Sequence, residues 1–544
     1  MFPSEAAAVR LLVGVALVLF VVLRLPCASI PLERDEGAYA YVAQRILAGA
    51  SPYRDVFDHK PPLVYLAYLV PVGLFGTSVV AIHLTGYAAS AIAAVLLFRC
   101  LRRLLGPLAA ACAVATFVVL TIEPAWLATA ANTEQFMLPV LLGCLACILE
   151  AERTSKAVAW FGAGALAAAA CWIKPVAATD VLFLGVLALV RSRRRAAEPS
   201  MPTSPGRAFG LAAAGAAAVC LCLAGALALR GAWPAFTDAV LSYNFDYASE
   251  VPLSSGLRTL ASSLAAQTGS LWAVGLVAAA AMLDFRRGRR AAAGALLGAL
   301  ASAAAGIAVG SHFYGHYFLQ AAPALAAAAG LAMSRAITRL GRASGSGRAL
   351  SAALLLPAAV LAPGLAHDAR FFFRDSPEEK VRALYSANPF DVAPSIAARL
   401  DATTRADERV LVYGSEPEVL FLAGRLSATR YIEFYPLTLS GQTAERRQRE
   451  AWAEIVRSAP RAILMTEVRT SLFESANSPG FLRKNVRDLL ASGFALEGVR
   501  VFETSGRRML FGAAARELAL EAGRTGHSPP ADMYLFVRSR GGGP

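Results

Sequence analysis

The sequence RDEGAY at residues 34–39 and the sequence DHKPPL at residues 58–63 lie in one loop that follows the first apolar segment of the chain. After the acidic pair Asp35 and Glu36, apolar residues recur at helical spacing, which predicts an amphipathic helix. Lys60 precedes two prolines that open the next apolar run, and proline fits the first turn of a helix. The loop therefore places carboxylates and a cation beside an apolar region.

Apolar segments recur through the first two thirds of the chain, which has 544 residues, is 56% hydrophobic and has a mean hydropathy of +0.51. Runs of roughly 15–20 apolar residues have the length needed to cross a bilayer as helix. The predicted spans are 9–25, 79–98, 107–122, 135–149, 157–173, 176–190, 208–229, 270–283, 291–309, 317–333 and 349–366. We expect a polytopic α-helical membrane protein with about eleven transmembrane helices.

The net charge of +14 reports membrane topology, because it is concentrated in the membrane half. Residues 367–544 hold 25 Lys and Arg against 22 Asp and Glu, a net charge of only +3. Arg10 and every second short loop between the predicted spans together hold 19 basic residues, whereas the loops on the other side of the membrane hold 8. The basic loops are 99–103, 153–156, 191–207, 286–290 and 335–348. Basic loops remain in the cytoplasm, so we expect a cytoplasmic N-terminus and no nucleic-acid partner.

The apolar segment at 60–76 is interpreted as a short juxtamembrane or re-entrant helix, because an extra span here would place the basic loops outside. The first loop (residues 26–78), Lys174 and the tail then share the extracytoplasmic side of the cytoplasmic (inner) membrane. The predicted division is a transmembrane domain at 1–366 and a soluble domain at 367–544.

The tail reads as alternating strands and helices, which predicts a small α/β domain. Strands are expected at 409–413, 461–466, 495–502, 508–511 and 533–538, and helices at 416–422, 444–458 and 481–491. The tail lacks the glycine fingerprint of a dinucleotide site and has no recognisable catalytic motif.

Asp35 and Glu36 are candidate catalytic carboxylates, although both could simply cap the helix and oppose its dipole. Neighbouring helical residues point about 100° apart, so the two should not share one task. Lys60 and Lys174 each precede proline at an outer boundary, in a chain with 47 Arg and only 5 Lys. Either lysine could snorkel to lipid headgroups or could neutralise a lipid phosphate.

Other outer-loop residues are candidates for a substrate cavity together with Tyr39 and His59. Glu134 follows a helix cap, so a structural role is as plausible as a cavity role. His316 and Tyr317 lie in SHFYGHY (311–317), which also resembles an interfacial aromatic belt. His312 and His316 are four residues apart, a spacing that alone does not define a metal site.

The first loop is similar to that of bacterial dolichyl-phosphate-mannose-protein mannosyltransferase-like proteins, which include the aminoarabinose transferases of the GT-C fold. The motifs that carry the resemblance are Asp35-Glu36-x-x-Tyr39, Lys60-Pro61-Pro62-Leu63 and Leu74-Phe75-Gly76, with weaker matches at Thr133-Glu134, Lys174-Pro175 and His316-Tyr317. The resemblance covers residues 9–335.

The resemblance implies transfer of a sugar from a polyprenyl-phosphate donor to an acceptor hydroxyl by an inverting single displacement. By this analogy Asp35 is the base and Lys60 lies near the donor phosphate. Aminoarabinose transferases have an acidic residue before the lysine that contributes to a metal site, whereas this chain has His59. We therefore predict no required cofactor and assign no metal ligands, while a divalent cation stays compatible with the site.

The alternative function is transport of an amphiphilic lipid-linked substrate, and a third is membrane anchoring of the tail. Transporters often have broken helices at midplane and two matching halves, neither of which the sequence indicates. The sugar, the carrier length, the oligomeric state and the acceptor, whether glycan, lipid or protein, are not encoded in a readable motif.

Overall fold

A long helical half and a C-terminal sheet domain make up the structure, a computed structural model. It describes residues 3–195, 204–265, 269–283, 290–344, 346–386, 388–503, 506–525 and 530–539. The basic loops at 191–207, 286–290 and 335–348 lie partly outside these residues.

The helical half begins with a helix that leads into the first loop. Its helices are α1 (Pro3–Arg24), α2 (Arg34–Leu47), α3 (Leu63–Phe75), α4 (Val79–Leu104), α5 (Pro107–Leu120), α6 (Thr133–Thr154), α7 (Ala157–Ile173), α8 (Ala177–Arg195), α9 (Pro205–Leu229), α10 (Trp233–Phe236), α11 (Tyr243–Ser249), α12 (Leu253–Ala265), α13 (Gly269–Leu283), α14 (Arg290–Ala308), α15 (Ala322–Ser344) and α16 (Ser346–His367). A π-helical turn, Thr237–Ser242, joins α10 to α11.

All eleven predicted spans coincide with helices, but the count of eleven crossings is not confirmed. Seven helical segments of the described chain are long and apolar enough to cross a membrane: Glu5–Cys27, Val79–Leu104, Thr133–Thr154, Pro205–Leu229, Ala291–Ser311, Gly315–Arg342 and Leu350–His367. Four apolar helices are shorter, at Leu63–Phe75, Pro107–Leu120, Ala157–Ile173 and Leu271–Ala280. The first of these is the short helix predicted at 60–76.

The C-terminal region is the predicted small α/β domain, which we call the tail domain (residues 367–544). Its helices are α17 (Ala369–Phe373), α18 (Pro377–Tyr385), α19 (Ala393–Thr403), α20 (Pro417–Ala423), α21 (Tyr435–Thr438), α22 (Gln442–Ser458), α23 (Arg469–Leu472), α24 (Phe481–Ala491) and α25 (Ala513–Thr525). Its strands are β1 (Arg409–Tyr413), β2 (Leu426–Ser427), β3 (Ala462–Thr466), β4 (Phe494–Glu503), β5 (Gly506–Phe511) and β6 (Ala531–Arg538).

Within the described part of the tail domain, six strands form one mixed sheet in the order β2-β1-β3-β6-β4-β5. β1 pairs in parallel with β2 and β3, because α20 and α22 provide the crossovers that parallel strands require. The remaining pairs are antiparallel. β3 is buried along its whole length, in agreement with its continuous apolar sequence AILMT.

Helix α2 begins with a reciprocal capping arrangement. The Glu33 carboxylate accepts a hydrogen bond from the Glu36 N–H at 3.2 Å, and the Glu36 carboxylate accepts one from the Glu33 N–H at 3.3 Å. Gly49, with a φ of 89°, follows the helix and allows the chain to turn away. Local sequence therefore determines both ends of the helix that carries Asp35.

The tail domain packs directly against α2, through α20. Gly37 makes this possible, because a Cβ placed there would lie 2.5 Å from the backbone nitrogen of Glu418. The Ser427 N–H also donates to the Tyr41 hydroxyl at 2.9 Å, and the Phe57 N–H donates to the Arg430 carbonyl at 2.8 Å. The tail domain and the first loop therefore lie at the same end of the helical half.

Arg34 joins the two parts of the chain at what we call the Arg34 junction, formed by Arg34, Asn388, Ser415 and Glu416. The Arg34 guanidinium donates to the Ser415 carbonyl at 2.5 Å and to Asn388 Oδ1 at 3.2 Å, and it lies 3.7 Å from Glu416 Oε1. Arg34 and Glu416 are both buried. A buried charge is tolerated only when it is paired and hydrogen-bonded, so loss of either partner should be costly.

We predict that Gly37→Ala weakens docking of the tail domain, because the added methyl group overlaps the backbone of α20. Overpacking of this kind costs about 1–3 kcal/mol. Limited proteolysis of the purified full-length protein should show earlier release of the tail domain, together with a lower melting temperature.

The matched control for this prediction is Gly14→Ala in α1, where nothing lies within 4 Å of the position that the added methyl group would take. That variant should be as stable as the parent or slightly more so, since glycine destabilises helices. Equal proteolysis of both variants would contradict a close α2–α20 contact.

Candidate active site

The carboxylate and the lysine of the first loop meet at the N-terminal end of α2. Asp35 Oδ2 lies 3.8 Å from Lys60 Nζ and accepts a hydrogen bond from the Tyr39 hydroxyl at 3.2 Å. The side chains of Asp35 and Lys60 remain 20% and 16% exposed. A small ligand can therefore reach both groups, although protein surrounds most of their surface.

Two tyrosines fix the backbone that carries Lys60. The hydroxyls of Tyr53 and Tyr65 both donate to the Lys60 carbonyl, at 2.9 and 3.0 Å. The rings of both tyrosines are buried. Helix α3 begins three residues later, after Pro61 and Pro62. The position of the Lys60 backbone is thus set by buried contacts within the first loop.

His59 lies between Lys60 and Asp58. Its Nε2 is 2.8 Å from Lys60 Nζ and its Nδ1 is 3.4 Å from Asp58 Oδ1. Burial, together with the positive charge of Lys60, lowers the pKa of His59 well below its usual range. A neutral imidazole has one lone pair. In the tautomer with N–H directed toward Asp58 it accepts a hydrogen bond from the lysine ammonium, and in the other tautomer its Nδ1 is free to bind a cation beside Asp58.

Asp35 and Lys60 each stabilise the charged form of the other. Burial alone would raise the pKa of Asp35, but nearby cations, Lys60 foremost, hold it below its usual range. Burial alone would lower the pKa of Lys60, but Asp35 and then Asp58 raise it. Both groups are therefore ionised at neutral pH, as a proton acceptor and a phosphate-binding cation must be.

A second group of predicted residues, Glu134, Lys174, His316 and Tyr317, lies next to the first. The Lys174 ammonium forms an ion pair with Glu134 and lies 4.0 Å from the centre of the Tyr317 ring. The centres of the His316 and Tyr317 rings are 4.8 Å apart. The Lys174 ammonium is also among the charges that lower the pKa of Asp35, so the two groups lie around one region.

Glu36 is directed away from this region. Its Oε1 accepts a hydrogen bond from the Ala131 N–H at 2.6 Å and lies 3.1 Å from His83 Nε2. The Glu36 side chain is only 1% exposed. Its described partners therefore anchor the first loop to α4 and to the segment before α6, and none of them is a predicted site residue.

Three side chains that the sequence analysis did not combine form a candidate cation site. One ligand atom from each of Asp58, His59 and Glu433 lies within 4.8 Å of the other two. Burial raises the pKa of Asp58 to about 6, against the effect of Lys60. Burial also raises the pKa of Glu433 well above its usual range, and Asp58 adds to this effect.

Two carboxylates and an imidazole are suitable ligands for a divalent cation. Within the described residues, Asp58 Oδ2 is buried without a hydrogen-bond partner, so one carboxylate oxygen is available as a ligand. Asp58 is adjacent to His59 in the sequence and could have been noticed there. Glu433 belongs to the tail domain, and no local motif connects it with the first loop.

We predict that Mn²⁺ or Zn²⁺ raises the melting temperature of the purified full-length protein relative to protein in EDTA, and that Glu433→Gln removes this effect. A ligand at 100 times its Kd stabilises the folded state by about 2.7 kcal/mol. The metal content after gel filtration provides a second readout.

The control for metal binding is Glu467→Gln, which removes a tail-domain carboxylate paired with Arg483. It should respond to metal as the parent does. An unchanged response in Glu433→Gln would contradict a cation site that contains this residue.

Comparison with known proteins supports the resemblance predicted from the first loop. A sequence model of the dolichyl-phosphate-mannose-protein mannosyltransferase family matches residues 59–220. No curated protein sequence matches the chain significantly.

Two solved membrane proteins share the fold over nearly the whole chain. The aminoarabinose transferase ArnT from Cupriavidus metallidurans, bound to undecaprenyl phosphate, has a TM-score of 0.57 and 15% identity, and the match covers 98% of this chain and 99% of that one. The archaeal oligosaccharyltransferase AglB from Archaeoglobus fulgidus, in complex with an inhibitory peptide and a dolichol-phosphate, has a TM-score of 0.53 and 12% identity, covering 94% and 75%.

These findings confirm the predicted fold class and the predicted resemblance. The chain has the fold of GT-C membrane glycosyltransferases, with several membrane helices and a small C-terminal sheet domain. At 12–15% identity the similarity to these two proteins establishes the fold alone. The chemistry depends on the residues of this chain.

Proposed function

We propose that this protein is an integral membrane glycosyltransferase that moves a sugar from a polyprenyl-phosphate donor to an acceptor hydroxyl. The reaction would take place at the outer face of the cytoplasmic membrane, with the N-terminus in the cytoplasm and the tail domain outside. The observation that carries the proposal is the pair formed by Asp35 and Lys60 on the first loop, 3.8 Å apart and accessible to a ligand.

Asp35 acts in this proposal as the general base. A hydroxyl is a poor nucleophile at neutral pH, and a positioned base contributes about 10²–10⁴ in rate. The acceptor oxygen attacks the anomeric carbon while its proton passes to the Asp35 carboxylate. The bond between the anomeric carbon and the phosphate oxygen breaks in the same step, which inverts the anomeric centre.

Lys60 stabilises the departing phosphate, which leaves with the bonding electrons as a polyprenyl monophosphate. A cation fixed in a partly dry site lowers this barrier without reorganisation. Binding of the donor phosphate to Lys60 would also draw the ammonium away from Asp35. Since Lys60 is the strongest cation that lowers the pKa of Asp35, the carboxylate becomes more basic when donor is present.

Other site residues have supporting roles in this proposal. Tyr39 orients Asp35 through its hydroxyl group. The ion pair of Lys174 with Glu134 and the neighbouring His316 and Tyr317 line the cavity.

Glu36 holds the loop in place through Ala131 and His83 and does not react. If a divalent cation is bound by Asp58, His59 and Glu433, it supplies further positive charge beside Lys60.

We predict that Asp35→Asn, which keeps the shape of the side chain but cannot accept a proton, retains the donor without turning it over. Mass spectrometry of lipids that co-purify in mild detergent should detect a polyprenyl-phosphate sugar in this variant at a level at least tenfold above wild type. The transferred sugar and the carrier length would follow directly from its mass.

A second substitution and a matched control refine this test. Adding Lys60→Ala to Asp35→Asn should remove the retained donor, because the phosphate loses its cation. Asp407→Asn changes an exposed carboxylate of the tail domain and should behave as wild type. If only bulk phospholipid co-purifies with every variant, the glycosyltransferase proposal fails and the transporter alternative is favoured.

A further inference from the structure

A cleft with a volume of about 470 Å³ lies between the first loop and the tail domain. Tyr41 and Val56 on one side face Ser427, Thr429 and Ser458 on the other. Five arginines from both sides also line it: Arg45, Arg54, Arg409, Arg430 and Arg457. We call this cavity the arginine cleft.

The two carboxylates that line the arginine cleft are both engaged by neighbouring groups. Asp55 accepts hydrogen bonds from the Arg54 guanidinium at 2.9 and 3.0 Å. Glu454 accepts hydrogen bonds from the Thr429 hydroxyl at 2.7 Å and the Arg430 N–H at 2.8 Å. That Arg430 N–H belongs to the backbone. The Arg430 guanidinium pairs with Glu450 at 2.6 Å and lies 3.8 Å from Glu454, so the neighbouring carboxylates compensate two of the five guanidinium groups, those of Arg54 and Arg430.

The remaining three arginines have no carboxylate partner within 4.0 Å in the described part of the chain. Arg409 donates to the Ser427 carbonyl at 2.8 Å, and neither Arg45 nor Arg457 forms an ion pair with a described residue. The described lining has five arginines against two carboxylates, and Glu450 beside Arg430 brings the net charge around the cleft to +2. Guanidinium groups that converge on one cavity repel each other unless an anion lies between them.

We propose that the arginine cleft binds a phosphorylated saccharide, either free or as the headgroup of a lipid. Planar guanidinium groups match the geometry of phosphate oxygens and can bind them with two parallel hydrogen bonds. The hydroxyl side chains and the Tyr41 ring suit a polar, sugar-like scaffold. The volume lies within the range of cavities that bind small molecules.

The arginine cleft is distinct from the candidate active site. Arg45 follows Asp35 by ten residues on the same helix, which corresponds to about 15 Å at 1.5 Å per residue. Phe57 contacts Arg430 and Tyr431, and in sequence it separates Val56, which lines the cleft, from Asp58 beside the candidate active site. The cleft also reaches the end of α9, where Arg54 donates to the Arg230 carbonyl at 3.1 Å. The cleft therefore lies next to the end of a helix long enough to cross a membrane, where lipid headgroups are expected.

The test is calorimetric titration of the purified full-length protein, in a neutral detergent, with glucose 1-phosphate and separately with glucose. Wild type should bind the phosphorylated sugar in a saturable way and should not bind glucose. Arg45→Gln combined with Arg457→Gln should weaken binding tenfold or more, since each loses a charge-assisted hydrogen bond. Added salt should weaken the binding further.

The matched control combines Arg374→Gln with Arg469→Gln, which removes two charges from exposed arginines outside the arginine cleft. This variant should bind glucose 1-phosphate as wild type does. Melting temperatures of all variants show whether each is folded, and Arg457→Lys, which keeps the charge, should lose less affinity than Arg457→Gln.

Repeating the titration in nanodiscs distinguishes the two sources of phosphate. If a lipid headgroup occupies the cleft, phosphatidylglycerol in the disc should compete with glucose 1-phosphate, whereas discs of phosphatidylcholine should not. If the ligand is a free saccharide phosphate, both discs should give the same affinity.

The proposal is overturned if glucose 1-phosphate binds no better than glucose, or if the Arg45/Arg457 variant binds as wild type does. Neither result affects donor retention by Asp35→Asn, so the proposed function is tested separately.

Discussion

The close approach of α2 to the tail domain is the constraint on which the rest of this structure depends. Gly37 admits the backbone of α20, and Arg34 forms buried contacts with Ser415 and Glu416 on the same surface. Because α2 carries Asp35 at one end and Arg45 at the other, its position sets both the candidate active site and the arginine cleft. The tail domain is therefore part of the architecture around the site, even though its sequence carries no recognisable catalytic motif.

The candidate active site balances opposite charges in surroundings from which water is largely excluded. Asp35 and Lys60 keep each other ionised, and Lys174 is paired with Glu134. His59 is kept neutral by the same burial and by the neighbouring ammonium, so it acts as a hydrogen-bond acceptor. Such an arrangement responds strongly to a bound phosphate, because the new charge changes the partner of every nearby group. We regard this sensitivity as the physical basis of the proposed coupling between donor binding and the basicity of Asp35.

The sequence predicted those features that depend on local pattern. Hydropathy located the helices, although hydropathy could not decide how many cross the membrane, since α5 and α7 are short and packed among other helices. Alternating strand and helix patterns located the tail sheet, and the resemblance of the first loop selected Asp35 and Lys60. Glu433 was missed because it comes near His59 only through tertiary packing. The bonding of Glu36 to His83 was also missed, because nothing in an acidic pair tells which carboxylate turns inward.

The distance in sequence between the first loop and its contacts in the tail domain has a consequence for biosynthesis. At roughly 5–20 residues per second, a ribosome needs on the order of 20–75 s to reach Glu433 after it has made Lys60. During this interval Arg34 lacks Ser415 and Glu416, and Asp58 and His59 lack Glu433, although the neighbouring helices are already present. A nascent chain at this stage therefore holds an incomplete site. A truncated product from a stalled ribosome should likewise lack a complete one. Completion of the polypeptide thus precedes full assembly of the candidate active site.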